Sequence, residues 1–568
     1  MARTAKMPMA SAEWAQQAGD ADHTEHPLPT RPGMPVATGG SLRSMSVDTS
    51  RPARPGFDLD LIEALLTIPV VHPGAPRHTT VAPFDGLPLV EVPYSTVEDV
   101  DMAFDTARVA QARWATTELA DRKRAILRFH DLLLSHRDEG LDLIQWETGK
   151  TRMDALKELL GVCTVARHYA RDTRRLLGPH RKVGLFPLLT RVSVEHHPVG
   201  VVGDIAPWNY PLFLAAADAI PALMAGNAVV LKPDHQTSLT ALWAVDLMHR
   251  AGIPRRVMQV VLGYGPELGP EITERADYMM FTGSSTVGAQ IAGRCGERLV
   301  GCSMELGGKN PMIVLDDVDP SRAAEVAVRA CFDNAGQLCV GIERIYLLPG
   351  AHDAFLDRFI SRIGALRMHA SVGWGTDYGS LISAEQLART TAAVDDAVAK
   401  GATVVTGGHP LPEVGPYYYA PTVLTGVTED MTCFGAETFG PVVAVQRVES
   451  EQEAVSLANA SPYGLNASAL TEDDDNGIRI ARQLQTGSVN VNEAYEATFG
   501  STRAPMGGRG RSGLGRRNGD HGLTRFTEEQ TIAVQRGISL GTPFGMEHDD
   551  WGDIIIRGFR ALKAVGFK

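Results

Sequence analysis

From about Val194 onward, short β-branched and aliphatic runs alternate with longer segments whose apolar residues recur at helical spacing. The runs "GVVGDIAP", "AVVLKP", "MQVVLGYG" and "DYMMFTGS" predict strands, while "PLFLAAADAIPALMAG" and "SLTALWAVDLMHRAG" predict helices between them. Such βα alternation predicts an α/β fold whose parallel sheet is covered on both faces. Ligands of these sheets sit where the strands end and the loops begin. Upstream, "VEVPYSTVEDVDMAFDTARVAQARWA" predicts a helix beginning after Tyr94, with Ser95 and Glu98 spaced as a capping box. A second helical pattern, "DRKRAILRFHDLLLSHRDEGLDLI", follows it.

The ends of the chain break this pattern. Residues 1–56 are rich in Pro, Gly, Ser and Thr, as in "HPLPTRPGMPVATGG", and have no apolar segment. Too little apolar surface is available there to offset the entropy of ordering, so a disordered extension is expected. Glu13, Asp20, Asp22 and Glu25 argue against a transit peptide, and no apolar h-region marks a signal peptide. At the other end, "WGDIIIRGFRALKAVGFK" places Ile554–Ile556, Phe559, Leu562 and Val565 on one helical side, among Arg557, Arg560, Lys563 and Lys568. A basic amphipathic tail of this kind docks on a neighbouring subunit or lies on a membrane surface; docking is the expectation here.

Composition narrows the class. With 568 residues the chain calls for more than one domain. Its 54 basic and 67 acidic residues give a net charge of −13, which argues against general nucleic-acid binding. No apolar run reaches the length of a membrane span. The cysteines at 163, 295, 302, 331, 339 and 433 form no C-x-x-C or Cys/His cluster, so neither a metal site nor a disulfide framework is expected. A cytoplasmic protein fits these features.

Candidate chemistry lies in the loops. Gly263, Gly265 and Gly269 follow one predicted strand in "VLGYGPELG", and Gly283 and Gly288 follow the next in "FTGSSTVG". Helix N-termini opened by glycine can hold a pyrophosphate, although neither loop is a G-x-G-x-x-G fingerprint, and a tight βα turn without a ligand is the favoured reading of either loop alone. Asn209 lies in "APWNYP", Glu305 in "MELGGKNP" and Cys339 in "FDNAGQLC". A thiol nucleophile, a carboxylate able to activate water and an amide donor for an oxyanion make a complete acyl-transfer set.

Seven motifs in one order carry a resemblance: "APWNYP", "GNAVVLKPDHQT", "FTGSSTVG", "MELGGKNP", "FDNAGQLC", "ETFGPVV" and "YGLNASAL". Together they resemble the NAD(P)-dependent aldehyde dehydrogenases, from about Phe84 to Ile538. "RAPMGGRGRSGLGRRNG" is similar to the succinate-semialdehyde dehydrogenase-like branch. The resemblance implies two Rossmann-type parallel-sheet domains with a β-flap for oligomerisation. It places a cofactor domain at 57–305 with flap residues near 180–198, a catalytic domain at 306–520, an oligomerisation strand at 521–540 and the tail at 541–568. It implies Cys339 as nucleophile, Glu305 as general base and Asn209 with the Cys339 N–H as oxyanion hole. Thiohemiacetal and thioester intermediates lead to a carboxylate.

The cofactor residues follow by resemblance. Lys232 matches a lysine on the adenosine ribose, Ser284 a serine on the pyrophosphate, and Glu437 and Phe439 the pair around the nicotinamide. Pro207, Trp208, Asp234, Gly265, Gly269 and Gly283 complete the set. His235 stands where NAD-preferring members often carry a glutamate, so NADP is expected over NAD; a solvated His235 without effect is the bland alternative. Asp333 and Ala217 stand where arginines bind the substrate carboxylate in succinate-semialdehyde enzymes. A carboxylate at Asp333 would repel such a substrate unless Arg503 or another arginine compensates. Neutral aliphatic or aromatic aldehydes are therefore the alternative substrates. A non-redox cysteine acyl hydrolase or transferase is the alternative of a different class, but it would need none of the cofactor motifs. A homodimer or homotetramer is expected.

Overall fold

The computed structural model describes residues 57–186, 189–537, 539–564 and 566. The expected disordered extension at 1–56 lies outside them, as do Val565 and Lys568 of the tail. Strands β1 (Arg77–Val81) and β2 (Pro88–Pro93) form an antiparallel hairpin, and β3 (His180–Val183) pairs antiparallel with β4 (Thr190–Pro198). The helix after the hairpin begins one residue later than its pattern suggests. Thr96 caps Val97–Trp114 and Asp99 closes the capping box, because the Ser95 hydroxyl instead donates to the Val70 carbonyl at 2.8 Å.

A first parallel sheet holds β5 (Val201–Ile205), β6 (Ala228–Lys232), β7 (Met258–Val260), β8 (Tyr278–Thr282) and β9 (Gly301–Glu305), in the order β9-β8-β5-β6-β7. Every residue of β5 and β6 is buried, as expected of parallel strands covered on both faces. The strand order reverses between β5 and β8. Loops leaving these two strands splay apart and open a crevice at their carboxyl ends. The segment predicted as one helix after β5 forms two, Pro211–Ala216 and Ala219–Ala225, with Asp218 between them.

The short link Leu306–Lys309 leads from β9 into a second sheet. Its strands are β10 (Asn310–Val314), β11 (Ile342–Leu347), β12 (Thr403–Thr406), β13 (Thr422–Thr425), β14 (Val442–Arg447), β16 (Ser468–Leu470) and β17 (Asn490–Val491), in the order β12-β13-β14-β11-β10-β16-β17. All its pairs are parallel except β12 with β13. Strand β15 (Tyr463–Gly464) pairs with β18 (Arg509–Gly510).

The 306–520 segment is not self-contained. Strand β19 (Gly513–Leu514) returns to the first sheet and pairs antiparallel with β9, Gly513 opposite Glu305. Strand β20 (Thr527–Gln535) pairs along its length with β4, making a three-stranded antiparallel sheet β20-β4-β3 apart from both parallel sheets. The tail forms the helix His548–Ala564, with Trp551 buried and Ile554, Ile556 and Phe559 exposed. Among the described residues no helix is long and apolar enough to cross a membrane.

Candidate active site

The crevice between β5 and β8 opens into a cavity of about 690 Å³ that runs between the two parallel sheets. Its wall includes Pro207, Trp208 and Asn209 from the loop after β5, and Gly283 and Ser284 from the loop after β8. Glu305 at the end of β9, Cys339 before β11, and Glu437 and Phe439 before β14 complete it. Three strand ends of the first sheet and two turns leading into the second thus converge on one space.

Cys339 follows a strained turn. Asn334, Ala335 and Gly336 take φ of 51°, 54° and 72°, three left-handed residues in succession. A left-handed alanine costs roughly 1–2 kcal/mol, so surrounding bonds must hold the turn. They do: Asn334 Nδ2 donates to the carbonyls of Asn209 and Gln337, and Gln337 Nε2 donates to the carbonyls of Asn334 and Ser380. A side chain at Gly336 would lie 2.2 Å from the Gly440 carbonyl oxygen. Burial, then the Glu437 charge, pushes the Cys339 thiol up to about 12, while the Arg517 charge opposes them.

Asn209 is fixed from both ends. Its Nδ2 donates to the Gln337 carbonyl at 3.1 Å, and its own carbonyl accepts from Lys150 Nζ at 2.6 Å. Lys150 also donates to Glu158 Oε1 at 3.2 Å and sits 3.9 Å from the centre of the Tyr210 ring. Glu158 Oε2 in turn accepts the Leu212 and Phe213 N–H groups. Both charged side chains are fully buried. Lys150 and Glu158 are absent from the sequence reading, since nothing in "ETGKTRMDALKE" separates a buried ion pair from a solvated helix face.

Glu305 is buried, and its Oε1 has no hydrogen-bond partner. Burial raises its carboxyl to about 7, against the lowering effect of the Arg517 and Arg525 charges. A carboxyl so placed ionises near neutral pH, the range a general base needs.

The Gly-Gly turn after Glu305 exists for close approach. A side chain at Gly307 would lie 2.2 Å from Glu437 Oε2, and one at Gly308 would lie 2.7 Å from the Cys339 carbonyl oxygen. Gly308 N donates to Glu437 Oε1 at 2.7 Å. Phe439, at φ 53°, packs edge-on against Trp208 with centroids 5.6 Å apart. Its N–H and that of Thr438 are held by Glu343, which forms a buried pair with Lys309 at 2.5 Å. Lys309 thus anchors the Glu437–Phe439 turn through Glu343.

The remaining predicted cofactor residues do not line this cavity. Lys232 ends β6 and Asp234 and His235 follow it, beside Tyr264 at the end of the loop after β7. His235 packs against Tyr264 and His78 with centroids 5.0 and 5.7 Å apart. Burial holds the His235 imidazole below its usual range, which favours the neutral ring over the protonated one. Lys232 is buried, and its Nζ donates to the Pro233 carbonyl at 3.1 Å. Gly265 opens the helix Gly265–Arg275 onto free space, whereas Gly269 lies inside that helix, where a side chain would come within 3.9 Å of Ile205. Ser284 caps the helix Ser285–Arg298 through a 3.4 Å bond from Val287 N.

Asp333 is not a bare carboxylate. Lys157 Nζ lies 2.5 Å from its Oδ2 and 2.9 Å from Glu496, and the Tyr495 hydroxyl donates to the same Oδ2 at 2.7 Å. Burial and then Asp154 raise Asp333 to about 6. Arg503 is exposed and paired with Asp172 at 3.1 Å, so it does not compensate Asp333. Among the described residues no group of three or more His, Cys, Asp or Glu could hold a metal ion.

Comparison with known proteins agrees with this geometry. The model of the aldehyde dehydrogenase family matches residues 71–532. A Mycolicibacterium smegmatis protein named "putative succinate-semialdehyde dehydrogenase [NADP(+)]" is 48% identical over 482 residues, covering 85% of this chain and 93% of its own. The structure of betaine aldehyde dehydrogenase from Staphylococcus aureus, in complex with NAD+, superposes with a TM-score of 0.80 at 29% identity, covering 86% of this chain and 98% of that one. An NADP-dependent enzyme of E. coli superposes at 0.79 with 30% identity, covering 83% and 99%.

Proposed function

The chain belongs to the aldehyde dehydrogenase family and carries out NAD(P)-dependent oxidation of an aldehyde to a carboxylic acid; from that premise we propose that Cys339, Glu305 and Asn209 perform the chemistry. Their convergence in one cavity with Glu437 and Phe439 is the observation that carries this reading. Cys339, as thiolate, attacks the aldehyde carbon. The carbonyl oxygen gains charge and is stabilised by Asn209 Nδ2 and the Cys339 N–H. A nicotinamide held beside Glu437 and Phe439 would supply the hydride acceptor, so that the thiohemiacetal is oxidised to a thioester on Cys339. Glu305 then takes a proton from water, which attacks the thioester and releases the carboxylate.

The residues present fit a dinucleotide. Ser284 and the N-terminus of Ser285–Arg298 face the cavity where a pyrophosphate gains from the helix dipole and free N–H groups. Gly265 leaves room at a second helix start. Lys232, Asp234 and His235 stand at the adenosine end, with Gly283, Pro207 and Trp208 along the wall. Gly269 is assigned to packing instead. NADP is the preferred cofactor in this reading, because His235 puts no carboxylate against a ribose 2′-phosphate.

Succinate semialdehyde is the proposed substrate. The mycobacterial relative bears that name, and Lys157 supplies a cation that offsets Asp333. A neutral aldehyde is the second reading, favoured by Glu496 beside the same lysine. Enzyme mixed with NADP or NAD and with succinate semialdehyde, butanal or benzaldehyde separates them through reduced-nicotinamide absorbance. Highest kcat/KM with succinate semialdehyde and NADP is expected; preference for butanal would install the second reading. We also read the chain as a cytoplasmic homo-oligomer, with the exposed β20-β4-β3 sheet as its subunit contact.

A further inference from the structure

Behind Glu305 lies a buried charge cluster that the roles above do not use. Asp218, between the two short helices after β5, receives Arg517 Nη2 and Arg525 Nη2, each at 2.5 Å, and Arg517 Nε at 3.2 Å. All three side chains are buried, and Arg517 Nη2 also lies 3.3 Å from Thr282 Oγ1. Thr282 is the register partner of Glu305 across β8 and β9. Arg517 therefore lies behind Thr282, which lines the cavity next to the end of β9 that carries Glu305, and its charge acts to lower the pKa of both Glu305 and Cys339.

The charges do not cancel. Two guanidiniums share one carboxylate. The other acid in the cluster, Asp204, is buried with Oδ2 unpartnered, and burial followed by the Asp218 charge favours its protonated form. Tyr169 and Tyr278 face Arg525, and burial raises both phenols further from ionisation. Arg516 reinforces Arg517 at Glu305, whereas Glu437 opposes a thiolate at Cys339. A buried surplus positive charge requires a nearby negative one. Cys339 must be anionic for attack, and Glu305 must be anionic for thioester hydrolysis, when the sulfur is neutral.

We propose that Arg517 is a positioning residue, held by Asp218 beside Arg525, that serves as the fixed counter-charge for Cys339 and Glu305 in turn. The proposal rests on the roles assigned to those two residues. Its sequence setting, "GLGRRNG", gives no hint of this, because Arg517 meets Asp218 only through the return of β19 to the first sheet.

The test needs no aldehyde. Iodoacetamide reacts with thiolates, and the labelled Cys339 peptide is counted by mass spectrometry across a pH series on the full chain. Removing an opposite charge at close range moves a pKa by about 1–3 units, so Arg517→Met lowers Cys339 labelling at about pH 8 by roughly tenfold or more. Arg517→Lys keeps most of the rate. Asp218→Asn releases Arg517 from its anchor and lowers the rate, by less than Arg517→Met. This graded order separates charge from damage, which moves all variants alike, and Arg517→Lys with Asp218→Asn suffices should Arg517→Met fail to fold. An unmoved profile in folded Arg517→Met, or equal losses in all three variants, overturns the proposal. Full turnover in Cys339→Ala would instead remove the reading on which it rests.

Discussion

Replacing Glu305 by Gln should stabilise the protein in mild alkali while slowing it as an enzyme. Burial raises the Glu305 carboxyl from 4.5 to about 7, so the folded protein holds this proton more tightly than the unfolded chain. The associated stability is complete below about pH 4.5 and is lost as pH rises through about 7. At about 1.4 kcal/mol for each tenfold change, the loss amounts to about 3 kcal/mol at pH 8. Glutamine keeps the shape of the protonated acid and cannot ionise. Glu147 and Glu437, both raised to about 8 by burial, and Asp333 titrate identically in both proteins and cancel from the comparison. Guanidinium unfolding at about pH 4 should find the two proteins alike, and at about pH 8 the variant ahead by about 3 kcal/mol. A gap that stays the same at both pH values would refute the reasoning.

Three other substitutions probe separate parts of the account. Asn209→Ala removes an oxyanion donor, and kcat should fall on the order of 10²–10³ with little change in melting temperature. Lys150→Met leaves Glu158 buried without its cation, and denaturant unfolding should show a loss of about 3–5 kcal/mol. His235→Glu places a carboxylate beside Asp234, and the ratio of kcat/KM for NADP over NAD should drop by at least about tenfold through repulsion of a 2′-phosphate.

Sequence and structure agree where the signal is local and diverge where it is not. Alternating apolar runs marked β5, β6, β7 and β8, because each strand is buried on both faces and needs no distant partner to reveal it. The helix start at 95–99 was ambiguous by one residue: Ser95 with Glu98 and Thr96 with Asp99 both spell a capping box. Only the Val70 carbonyl, in a separate segment, takes Ser95 out of contention. The run after β5 reads as one helix, yet Pro221 has no N–H to offer the Ala217 carbonyl, and the break falls at Asp218, where two arginines about 300 residues away reach it. Glu305, Cys339 and Asn209 were legible through residue type and motif. Their supports Lys150, Glu158, Glu343 and Arg517 were not, since a charged residue in a polar stretch looks the same whether it faces solvent or a buried partner. Asp333 illustrates the same limit: its type suggested a bare repelling carboxylate, and only the fold shows that it shares Lys157 with Glu496.

The central claim is that the reaction passes through a thioester on Cys339 that Glu305 helps to hydrolyse. Glu305→Gln enzyme mixed with succinate semialdehyde and NADP, quenched in acid and digested, should carry the succinyl group on the Cys339 peptide by mass spectrometry. No adduct, together with full turnover by Cys339→Ala, would contradict it.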